Sequence, residues 1–180
     1  MTADKPKRVP GLLRTSILFK DKVLLSPDLW IGALVGVAAW ILVPETSLRE
    51  ALNGLTSAGL AVATALVGVV IAALAVVVAF LDDEFIALMD RATSKRYGGM
   101  EGQLFPFWFV AGLGVGTILL SVGAIAFAQP ASVEVMRALV AVLSFLLVWT
   151  SLGVLNLVGY IHATGVSRAL YIRKKNPPDK

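Results

Sequence analysis

A chain of 180 residues that is 57% hydrophobic, only 16% charged and +0.81 in mean hydropathy cannot hide its apolar residues inside a soluble core. Cysteine is absent and histidine occurs once, which excludes disulfide frameworks, thiolate metal centres, cysteine nucleophiles and any site needing two imidazoles. The net charge of +4 does not point to nucleic acid, because the basic residues sort by chain segment and not along a face or motif.

Residues 1–28 read as a basic cytoplasmic tail. Leu12, Leu13, Ile17 and Leu18 interleave there with Arg14, Lys20 and Lys22, a mixture suited to lying partly on the membrane surface. Ser26-Pro27-Asp28 opens the first span with a capping hydroxyl, a proline that needs no donor and a carboxylate at the positive end of the helix dipole. That span, 29–43, has 15 uncharged residues. At 1.5 Å per residue it covers about 22 Å of a hydrocarbon core about 30 Å thick. Trp30 and Trp40 suit the two interfaces, and Pro44 ends the segment.

Ser47 and Glu50 have the spacing of a capping box ahead of the second span, 55–81. Leu81, Phe85, Leu88 and Ala92 keep helical spacing beyond it, which predicts a cytoplasmic helical extension over 82–93 before Gly98-Gly99 breaks it. The third span, 105–129, opens on Phe105, Phe107 and Trp108 and closes at Gln129-Pro130. The fourth, 138–161, leads into a second basic cytoplasmic tail, 162–180. The fold class expected is all-α: an integral membrane four-helix bundle, residues 29–161, with short extracytoplasmic loops.

Lys and Arg set the orientation. The N-terminal tail, middle loop and C-terminal tail hold 14 of them and the other two loops 2, which predicts a multi-pass protein of the cytoplasmic membrane with both termini cytoplasmic. The expected partners are the lipid bilayer, anionic lipid headgroups met by the basic tails, and a membrane protein or further copies of the chain.

Small residues form the most informative pattern. Steps of three and four join Ser57, Ala61, Thr64, Gly68, Ala72, Ala75 and Ala79 on the second span, and Gly114, Thr117, Ser121, Ala124 and Ala128 on the third. Gly32 and Gly36 form a GxxxG pair on the first span, Gly112 and Gly116 another on the third. Lipid tails are as apolar as leucine, so helices associate by close approach over such residues. The stripes therefore read as the second span packing on the third, or, alternatively, as hydroxyl-bearing walls of a pore in an oligomer. On the fourth span Asn156 lies within an apolar run, where an amide seeks an interhelical partner.

Cytoplasmic contact candidates are Asp82, Asp83, Glu84 and Phe85 on the helical extension and Arg173, Lys174 and Lys175 on the tail. Consecutive helical residues point about 100° apart, so three adjacent carboxylates do not converge on one metal ion. Pairing with the basic tails or a solvated face is the simpler reading. No Asp, Glu, Lys or Arg interrupts a span, which removes the usual proton-relay carboxylate, and neither a TVGYG filter nor a GxSxG elbow is present. The expected function is non-catalytic and without a cofactor: a membrane adaptor or complex subunit, with a small homo-oligomeric pore as the alternative.

Overall fold

The computed structural model describes residues 25–79, 100–127 and 131–175, and among them the secondary structure is helical without a strand. Four α-helices result: α1 (Pro27–Leu42), α2 (Leu48–Ala79), α3 (Met100–Phe127) and α4 (Val133–Lys175). The extension expected over 82–93 and the contact candidates Asp82, Asp83, Glu84 and Phe85 lie outside the described residues.

Local chemistry sets the helix ends. The Ser26 hydroxyl accepts from the Asp28 backbone N–H at 3.3 Å with Pro27 in the first turn, and the Val43 N–H closes the last turn on the Ala39 carbonyl. Ser47 behaves differently from a capping-box serine. It ends a 3-10 turn, Glu45–Ser47, and its hydroxyl donates back to the Pro44 carbonyl at 3.2 Å. The turn reverses the chain in three residues, and the serine is used up in closing it. Ser132 takes the capping role for α4, accepting from the Val135 N–H at 3.4 Å.

Together with its leading 3-10 turn, α2 is long and apolar enough to cross a membrane, as are α3 and α4, whereas the 16 residues of α1 form a shorter apolar helix. The last helix runs on past the expected end of its span at Ile161 to Lys175. Its 43 residues reach about 65 Å, twice the thickness of a hydrocarbon core. Thr164 and Ser167 donate to the carbonyls four residues back, so the polar residues after the apolar run bond to the helix instead of ending it.

The bundle is organised around α4, which packs against each of the other three helices; α2, α3 and α4 form a triangle, and α1 lies along α4. Two apolar clusters fill the triangle. One joins Val70 and Val77 of α2 to Phe107 and Val110 of α3 and to Val154 and Leu157 of α4. The other, at the opposite end, joins Leu48 and Leu52 to Ala124, Val140 and Leu143, with Ala39 of α1 and its C-cap Val43 packed against it.

Beside the second cluster, Arg137 of α4 pairs with Glu45 of the 3-10 turn at 3.4 Å, and the glutamate side chain is 67% exposed. Solvent screening leaves such a pair worth roughly 0–1 kcal/mol. Glu45→Gln is therefore expected to shift the detergent unfolding midpoint by no more than a few degrees, as read by circular dichroism.

Candidate functional site

The two small-residue stripes face opposite ways. On α3, Gly114, Thr117, Ser121 and Ala124 all point inward, and Thr117 and Ser121 are fully buried. The Thr117 hydroxyl donates to its own helix at the Leu113 carbonyl, 2.8 Å away, and the Ser121 hydroxyl lies against Gly59 of α2. A Cβ on Gly114 would stand 2.6 Å from a methyl of Val67. These groups are occupied by the contact between α2 and α3.

On α2 the expected packing face is corrected. Ser57, Ala61, Thr64, Gly68, Ala72, Ala75 and Ala79 are all exposed, and nothing comes within 4 Å of where a Gly68 side chain would stand. The inward face instead carries Leu48, Leu52, Thr56, Gly59, Ala63, Val70 and Val77. Both faces of α2 contain small residues; on the inward one Gly59 and Ala63 meet α3, between the Leu48–Leu52 and Val70–Val77 ends that join the two clusters.

Gly32 and Gly36 of α1 are buried on α4. A Cβ on Gly32 would meet Phe145 and Trp149 at 3.2–3.3 Å, and one on Gly36 would stand 3.0 Å from the Ala141 carbonyl oxygen. Glycine is what lets the two backbones approach this closely. One turn before Gly32, the Asp28 carboxylate accepts a hydrogen bond from the Asn156 amide. The asparagine thus has an interhelical partner, and the partner is the carboxylate that also favours the start of α1.

Between α3 and α4 runs a groove of about 330 Å³, lined by Phe105, Trp108, Phe109, Gly112, Leu113 and Gly116 of α3 with Leu146 of α4. Gly112 and Gly116 leave it open, since nothing lies within 4 Å of either Cβ position. An aromatic row leads from its wall to α1: Phe105 stacks on Phe109 at 5.8 Å, Phe109 meets Trp149 edge-on at 5.5 Å, and Trp149 tilts against Phe145 at 5.1 Å. Sequence reasoning missed this row. Its signal was the i, i+4 spacing of Phe105 with Phe109 and of Phe145 with Trp149, on helices that turned out to be neighbours.

Arg173, Lys174 and Lys175 continue the backbone of α4, and their side chains lie outside the described residues. Comparison with protein-family models, curated proteins and solved structures returned no match.

Proposed function

We propose that the chain is a non-catalytic, four-span protein of the cytoplasmic membrane, both termini inside, that acts by contact with a membrane partner or further copies of itself. The outward face of α2 carries this reading. From Ser57 to Ala79 it presents small side chains at steps of three and four on the side away from the bundle core. Such a face lets another helix approach closely. The 14 to 2 distribution of Lys and Arg supports the orientation. On that topology Asp82–Phe85 and Arg173–Lys175 are further contact candidates inside the cell, where the basic tails also meet anionic headgroups.

Oxidative cross-linking in native membranes tests the reading. Cysteines introduced at Ala61 and Gly68 are expected to give one adduct of discrete mass, whereas a cysteine at Leu119, 67% exposed on α3, gives none. No adduct at either α2 position, or equal adducts at all three, would sink it.

One observation favours the pore alternative. The Ser57 and Thr64 hydroxyls lie on that same outward face, so several copies meeting there would bring hydroxyls together. Ion flux in liposomes that is blocked by modifying a cysteine at Thr64 would select the pore over the subunit.

A further inference from the structure

The flank shared by α1, α3 and α4 joins an apolar groove to a carboxylate. Trp149 connects the two, since its ring meets Phe109 in the groove wall while its Cβ lies against the Gly32 position of α1, one turn from Asp28. Heights along the bundle agree. Gly153 of α4 lies against Val110, and Tyr160 packs edge-on against Phe107, so Asn156 with its Asp28 partner stands level with the Phe105–Phe109 half of the groove.

The length of the groove decides what fits. From Phe105 to Gly116 it covers about 16 Å of helix, which is half of a hydrocarbon core about 30 Å thick. A partner's transmembrane helix needs the whole thickness, whereas an acyl chain of one leaflet needs half. The volume of about 330 Å³ lies within the range of small-molecule sites. Charge chooses the headgroup. Asp28 is half-buried and makes no salt bridge among the described residues, so its carboxylate complements a primary ammonium.

We propose that this flank binds one aminophospholipid from the leaflet around the α1 N-terminus, an acyl chain in the Phe105–Gly116 groove and the ammonium headgroup on the Asp28 carboxylate. The two open glycines give the groove its depth. Trp108, 59% exposed beside them, covers the chain from the bilayer side with an amphipathic ring suited to that level.

Native mass spectrometry of the full chain, released from detergent with equal amounts of phosphatidylethanolamine, phosphatidylcholine and phosphatidylglycerol, tests this. The wild type is expected to retain one phosphatidylethanolamine about tenfold better than the others. Gly116→Leu fills open space, so it should lose that adduct while keeping its unfolding midpoint. Asp28→Asn can still accept from Asn156 but is uncharged, so it should retain all three lipids equally. Gly112→Leu repeats the groove test at a second position.

Equal retention of the three lipids by the wild type, or an adduct that survives both leucine variants, overturns the assignment. So does a phosphatidylethanolamine preference that survives Asp28→Asn. A wild-type dimer that becomes monomeric in Gly116→Leu overturns it in favour of a second copy in the groove. Loss of stability in both leucine variants overturns it too, because the groove would then be filled by the chain itself.

Discussion

Gly36→Leu is expected to lower the detergent unfolding midpoint more than leucine at any other glycine, by an amount equivalent to about 3 kcal/mol. The reason is what the new side chain meets. Its Cβ would stand 3.0 Å from the Ala141 carbonyl oxygen and 3.1 Å from the Phe145 Cβ, and a carbonyl held in a helix cannot turn aside. The whole of α1 must lift, which also pulls Gly32 off Trp149 and strains the Asp28–Asn156 contact.

Gly59→Ala is expected to cost less, because the one atom it crowds is the Ser121 hydroxyl while the Ser121 Cβ and a Thr117 methyl stand at ordinary contact distance, and Ser121→Ala in the same chain should recover most of the loss. Gly68→Leu, with nothing within 4 Å, should stay within about 0.5 kcal/mol of the wild type. Thermal unfolding of the four variants by circular dichroism checks the order. If Gly68→Leu were as destabilising as Gly36→Leu, the face of α2 described as outward would be packed.

Phe107→Ala should cost about 3 kcal/mol, whereas Trp108→Ala, one residue later, should be near neutral. Phe107 is 1% exposed, in the cluster with Val77 and Leu157, and its ring meets Tyr160 at 6.0 Å; Trp108 is 59% exposed. A soluble core would lose both dispersion contacts and hydrophobic transfer on this truncation. In lipid the surroundings are as apolar as the core, so only the cavity and its missing contacts count, which places the cost at the low end of the range for phenylalanine. The same melts measure it, and equal stability of the two variants would contradict the burial assigned to α3.

The helical class, the end of α1 near Pro44 and the inward stripe of α3 were legible in the sequence because each depends on local chemistry or on a charge-free run. The direction of the α2 stripe was not. Spacing assigns Ser57, Thr64 and Gly68 to one face, but Gly59 and Ala63 form an equally small patch on the other, so composition could not say which turns in. Asn156 announced a need for a partner, and only tertiary placement identifies Asp28, 128 residues earlier in the chain. The length of α4 is not legible in the sequence either, because an apolar run measures the bilayer crossing, whereas a helix lasts as long as its backbone bonds do.

The central place of α4 bears on the order in which the molecule can be assembled. The last described helix to be synthesised carries the surface on which α1, the first described helix, must settle: Ala141, Phe145 and Trp149 against Gly32 and Gly36. The hairpin of α2 and α3 can close as soon as α3 has emerged, since Gly59, Val67, Gly114 and Ser121 meet without help from later residues. Over the same interval α1 waits with both glycines bare. Any factor that shields a GxxxG helix during synthesis would act in that window, and synthesis stalled before residue 141 would leave α1 without its seat.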